Sequence, residues 1–111
     1  MPAYAAAHLR SVQMGEDIVG YLRKVDATLP PFNGRFLTHG KTPEVMDGEW
    51  PGHLVLIEFP DLEQARGWYH SPAYQAILPL RTRNSDGSAI LVEGVDADYR
   101  AVHFLESIGL G

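Results

Sequence analysis

Eight consecutive residues, His53–Pro60 (HLVLIEFP), constrain this chain more than any other stretch. Side chains alternate across a strand, so Leu54 and Leu56 oppose Val55, Ile57 and Phe59. A strand with one wet face would carry polar residues on that side. This one is apolar on both, which fits a central strand covered above and below. Any architecture for the chain must supply two covers for one sheet.

The flanking segments supply one of them. Ala3–Arg10 (AYAAAHLR) alternates as a strand, with Ala3, Ala5, Ala7 and Leu9 on one face. Alanine is a poor strand former, and small side chains there suit close approach of a helix. Ile18, Tyr21, Leu22, Val25 and Leu29 recur at helical spacing, which predicts a helix over Glu16–Leu29 ending at Pro30–Pro31. Asn33–Gly40 (NGRFLTHG) reads as a short strand, and the turn-rich KTPEVMDGEWPG as an irregular connection. After the central strand, Asp61 caps a helix with Gln64 at the capping-box position and Leu62, Ala65 and Tyr69 inward. Ser88–Val95 (SAILVEGV) is the last strand, also apolar on both sides. The order is β-α-β-β-α-β, which predicts an α+β, ferredoxin-like fold with a four-stranded antiparallel sheet. Two helices cover one face. The simplest cover for the other is a second copy, so a homodimer is expected.

The chain has 111 residues, enough for one domain with a real core. Residues 1–96 form that domain and 97–111 a C-terminal extension, expected as a docking arm or short helix. A net charge of -5 argues against a nucleic-acid partner. There is no cysteine, hence no disulfide or thiolate chemistry. No apolar run reaches the roughly 20 residues a membrane span requires, and the start MPAYAAAHLR has no basic leader. A cytoplasmic protein is expected, without a membrane partner.

Aromatic and hydroxyl groups crowd Trp68–Gln75 (WYHSPAYQ). A helix from Asp61 cannot pass Pro72 unbroken, whereas Ser71 is a good N-cap and Pro72 suits a first helical position. Ser71 thus reads as a cap between two helical pieces. Ala73, Ile77 and Leu80 share one face of the second piece, with Tyr74, Leu78 and Arg81 beside them. Trp68, Tyr69 and Tyr74 either fill the space between helix and sheet or wall a small-molecule pocket.

Glu58 and Glu93 interrupt apolar strands. Each is either an ion-paired strand residue, with Arg35, Arg81 and Arg83 as partners, or a general base in a partly apolar cleft. Glu58, on the most central strand, is the candidate catalytic residue. The candidate pocket joins it to Trp68, Tyr69 and Tyr74, with His39 and Arg81. His39, His53, His70 and His103 show no metal-ligand spacing, and no phosphate loop, dinucleotide fingerprint or nucleophile elbow is present. No metal and no cofactor are expected.

The run from Asp47 to Asp96 resembles the domain-of-unknown-function family 1330: IEFP, then a helix with WY and SPAYQ, then LRTR and a closing LVEG. GRFLTHG and VMDGEW look like its second strand and following turn. The resemblance implies a dimeric α/β-barrel protomer, and the extension past Asp96 departs from it. The wider superfamily includes cofactor-independent monooxygenases, muconolactone isomerase-like enzymes and haem-degrading proteins, which is analogy at the level of fold. Two functions are therefore expected as alternatives. One is binding or cofactor-independent transformation of a small organic molecule, by proton transfer or oxygenation. The other is a non-catalytic homodimeric ligand-binding or structural protein.

Overall fold

The computed structural model describes residues Met1–Gly111. Strand β1 (Ala3–Val12) leads into helix α1 (Glu16–Thr28), and a short 3-10 turn at Pro30–Phe32 follows. Strands β2 (Arg35–Thr38) and β3 (His53–Phe59) come next, then helices α2 (Leu62–His70) and α3 (Pro72–Thr82), strand β4 (Ser85–Glu93) and helix α4 (Ala101–Ser107). The four strands form one antiparallel sheet in the order β2-β3-β1-β4. This is the ferredoxin-like α+β arrangement expected from the element order.

The central position of β3 and β1 follows from their composition. β3 pairs β1 with Ala3 opposite Phe59, Ala5 opposite Ile57 and Ala7 opposite Val55. Residues opposite one another share a face. Together with Phe36 of β2 and Leu91 of β4 they form the helix-facing side. The core lies there: Ala3, Val25, Leu29, Ile57, Phe59, Ala65, Trp68, Tyr74 and Ile77 are buried as one cluster.

The other face carries Tyr4, Ala6 and His8 from β1, Leu54, Leu56 and Glu58 from β3, and Ile90 and Val92 from β4. No helix covers it. Ile90 is 59% exposed and Val92 47%. Trp50 alone folds over one end, stacked on His8 with ring centroids 4.1 Å apart, while His8 Nε2 donates to the Pro51 carbonyl at 2.6 Å.

Several boundaries differ from the sequence expectation. β1 runs on to Val12 and β4 begins at Ser85, because Ser85 and Asp86 pair with Val12 and Ser11 beyond an irregularity at Leu9–Ser11. The Arg10–Asp86 ion pair, 3.1 Å, fastens that corner. The Arg10 guanidinium holds the Asp86 carboxyl below its usual range, chiefly by hydrogen bonding. β2 is shorter than expected, since only Arg35–Thr38 reach β3. Asp61 caps α2 by accepting from Gln64 N at 2.8 Å, but the Gln64 side chain does not close a capping box. Its Oε1 accepts instead from Asn33 Nδ2, 2.7 Å, tying the turn after α1 to α2. Beyond β4 the chain carries one short helix, α4. No helix is long and apolar enough to cross a membrane.

Candidate functional site

The segment WYHSPAYQ builds the corner from which the site hangs. Ser71 ends α2 and caps α3: its Oγ donates to the Trp68 carbonyl at 2.7 Å and accepts from Tyr74 N at 3.2 Å. Pro72 takes the first turn of α3, where its missing N–H costs nothing. The corner turns Trp68 and Tyr74 toward each other, ring centroids 4.1 Å apart. Trp68 Nε1 donates to Thr28 Oγ1 at 2.9 Å, and Thr28 passes a bond to the Val25 carbonyl at 2.6 Å. Trp68 and Tyr74 are 3% and 2% exposed. They are framework, and their inner faces also line a cavity.

That cavity is a cleft of about 760 Å³ between the sheet and the helices. Its size falls within the usual range for small-molecule sites. Ala5, Ala7 and Ala89 line its floor, where larger residues would have filled it. The small residues of β1, expected to let a helix approach, leave a void instead, because α1 packs chiefly on α3. Ile18, Tyr21 and Val25 stand on one side, with Trp68, Tyr69, Tyr74 and Arg81 on the other.

The cleft is mostly apolar and its polar groups converge. The hydroxyls of Tyr21 and Tyr74 are 2.8 Å apart. The Arg81 guanidinium carbon lies 5.9 Å from the centre of the Tyr21 ring. Arg81 makes no ion pair; the two in the molecule are Arg10–Asp86 and Arg35–Glu58. Burial pushes the Tyr21 phenol well above its ordinary range, and the neighbouring Tyr74 adds to the shift. Tyr21 is therefore a neutral hydrogen-bond donor at physiological pH. Burial works against the Arg81 charge, but the Tyr74 and Tyr21 phenols outweigh it and raise its pKa. The result is a fixed cation beside two hydroxyls in a poorly solvated cleft, which suits an oxyanion.

Of the residues expected in one pocket, the structure brings together Trp68, Tyr69, Tyr74, His39 and Arg81. His39 and His70 are exposed, at the mouth. Glu58 is elsewhere. It lies opposite Tyr4 on the uncovered face of the sheet and pairs with Arg35 at 2.9 Å. The expectation of a cleft joining Glu58 to the aromatics is corrected: strand alternation points Ile57 and Phe59 toward the helices and Glu58 away. Glu93 is exposed at the end of β4, and the histidines do not gather with other potential ligands into a group of three. Helical spacing in the sequence makes Tyr21 an inward residue of α1 but does not indicate that its hydroxyl meets Tyr74 in the cleft. A hydroxyl on the inward stripe of α1, opposite an alanine strand, was the available signal.

A family model described as a domain of unknown function (DUF1330) matches residues 2–95. No curated protein matches the sequence. Among solved structures, the chain is similar to a protein of unknown function from Rhodopseudomonas palustris, at 15% identity and TM-score 0.64 over 86% of this chain and 83% of the other. It is similar to a dimeric ferredoxin-like protein of unknown function from Jannaschia sp., at 14% identity and TM-score 0.60 over 85% and 100%. It is also similar to SnoaB, a cofactor-independent oxygenase from Streptomyces nogalater, at 11% identity and TM-score 0.55 over 89% and 97%. At such identities these likenesses establish the fold alone.

Proposed function

The chain belongs to the family described as a domain of unknown function (DUF1330), and from the geometry of its cleft we propose that it binds a small planar organic molecule through an enolate, phenolate or carboxylate oxygen. The observation that carries this is Arg81, a cation without a carboxylate partner, set beside the paired hydroxyls of Tyr21 and Tyr74 in an apolar cleft. Arg81 is half-buried, and a partly desolvated charge gains from a bound anion. Tyr69 and Trp68 offer flat apolar surface for the rest of the molecule.

The same groups support cofactor-independent chemistry on that molecule. Loss of a proton next to a carbonyl places negative charge on its oxygen, where Arg81 and the phenols stabilise it. His39, His53 and His70 are the imidazole bases within the lining, all exposed. An electron-rich enolate is also the form that reacts with dioxygen, so the arrangement serves proton transfer or oxygenation. The fold shared with a cofactor-independent oxygenase is in keeping with this. The second reading, a ligand-binding protein without turnover, is favoured by one fact. Of the two strand carboxylates weighed as bases, Glu58 is on the far side of the sheet and Glu93 is exposed at the end of β4.

The proposal includes a homodimer packed through the uncovered sheet face. Ile90 and Val92 stand exposed there beside Leu54 and Leu56, and the Jannaschia relative is described as dimeric. A thermal-shift panel tests the ligand reading, pairing aromatic acids, phenols and β-dicarbonyls with neutral isosteres. A ligand at a hundredfold excess over its Kd stabilises by about 2.7 kcal/mol. Anionic members should raise the Tm of the protein and not of Arg81→Met. Equal responses to anions and their neutral isosteres, or none across the panel, would reject it.

A further inference from the structure

Helix α4 and its flanks pose a problem that the single chain does not solve. Every residue from Val95 to Gly111 is exposed. The matched family model stops at residue 95, so this arm is an addition to the fold. It makes the molecule long, 52 × 35 × 19 Å, with a radius of gyration of 16.0 Å. A compact chain of this length has a radius of roughly 13 Å.

The arm is nonetheless built. His103 Nδ1 accepts from Arg100 N at 3.1 Å and caps the start of α4. At its end Gly109 adopts φ +81, Gly109 N donates to the Glu106 carbonyl at 3.1 Å, and Leu110 N donates to that of Leu105 at 2.8 Å. This is the Schellman closure, which places Leu110 beside Leu105. At helical spacing, Ala101, Phe104, Leu105 and Ile108 share one face, and His103, Glu106 and Ser107 the other. Phe104 is 57% exposed and Ile108 52%. Helices shorter than about 12–15 residues are marginal in water unless an apolar face is covered. α4 has seven residues, and its own chain leaves that face bare.

Where the arm departs decides what covers it. β4 is an edge strand, and its end is pinned where Gly94 N donates to the Pro2 carbonyl at 2.7 Å. A Cβ at Gly94 would meet the Tyr4 ring at 2.9 Å. Tyr4 belongs to the uncovered sheet face. The arm therefore leaves at the rim of the surface assigned above to a second copy.

We infer that residues 97–110 are an exchange arm: the Phe104–Leu105–Ile108 face of each protomer seats on the second copy, at the rim of its uncovered sheet face. This rests on the sheet-mediated dimer of the preceding reading. The absence of cysteine allows a single spin label at Ser107→Cys. Labelled protein and unlabelled ¹⁵N protein are refolded together, and paramagnetic broadening is read on the ¹⁵N protomer. Broadening of amides in its β1, β3 or β4 is expected, and Phe104→Asp/Leu105→Asp should remove it and weaken the dimer on the order of tenfold or more. Those side chains touch no core residue, so the variant keeps its fold. A dimer with no broadening across protomers, or one of unchanged affinity in the variant, overturns the arm and leaves the sheet dimer standing. A full-length chain that sediments as a monomer overturns both.

Discussion

Replacing Ser71 with alanine tests the corner that orients the cleft. Ser71 is 8% exposed, and its hydroxyl has two partners, Tyr74 N and the Trp68 carbonyl. The carbonyl retains the Ser71 backbone N–H at 3.1 Å, so its loss is partial. Tyr74 N loses its only acceptor in a buried place. Removing a serine N-cap costs about 1 kcal/mol, and a buried donor without a partner costs about 1–3 kcal/mol. These overlap, because the orphaned donor is the cap bond itself, and about 1–2 kcal/mol is expected. For a domain near this size that lowers the Tm by about 4–8 °C. Urea unfolding should show a lower midpoint at unchanged m. Ser71→Thr keeps both bonds and should stay within about 0.5 kcal/mol of the parent. An alanine variant as stable as the parent, or a threonine variant as damaged as the alanine one, would refute the argument.

Other consequences are checked as simply. The Tyr21 phenol is raised above its ordinary 10.0, so the folded state favours its neutral form. Its contribution to stability is whole below pH 10.0 and is lost as pH rises through that value and beyond, where only the unfolded chain ionises. Tyr21→Phe should flatten the alkaline limb of a stability-against-pH curve; an unchanged limb would place the phenol in water. Glu58→Gln breaks a half-exposed ion pair and should cost no more than about 1 kcal/mol. It should also leave ligand-induced thermal shifts unaltered, and loss of those shifts would return Glu58 to the site. At Gly34, an added Cβ would sit 2.6 Å from Phe59 Cε1 and 2.9 Å from Leu29 Cδ2. Gly34→Ala should therefore destabilise by about 1–3 kcal/mol in chemical unfolding; a neutral result would show that those side chains yield freely.

Local signals in the sequence were strong where one residue type has one physical use. Asp61 and Ser71 are caps in the structure because each is itself in extended backbone and precedes free N–H groups. The apolar run of β3 marked a central strand, and its partner alternation assigned Glu58 to the Leu54 and Leu56 face. What alternation lacked was the identity of the face the helices cover, and Glu58 was placed in the wrong compartment for that reason. The start of β4 was hidden by its composition: Ser85, Asp86 and Gly87 read as a turn, and only the register against Val12, Ser11 and Leu9 makes them a strand. The cleft itself was the least legible feature. A void is set by what faces the alanines of β1, and that depends on α1 leaning on α3 rather than on the sheet. Tyr21 meets Tyr74 across 53 positions of chain, a distance no local pattern spans.

The electrostatic character of the cleft can be read directly from a bound phenol. para-Nitrophenol changes its visible absorbance on ionisation, so its pKa can be followed in the presence of saturating protein. With Arg81 and two hydroxyls around the phenolate oxygen, the pKa of the bound phenol should fall below its value in water, and Arg81→Met should abolish the fall. A bound pKa that is unchanged or raised, or the same in both proteins, would contradict the assignment of this cleft as an oxyanion site.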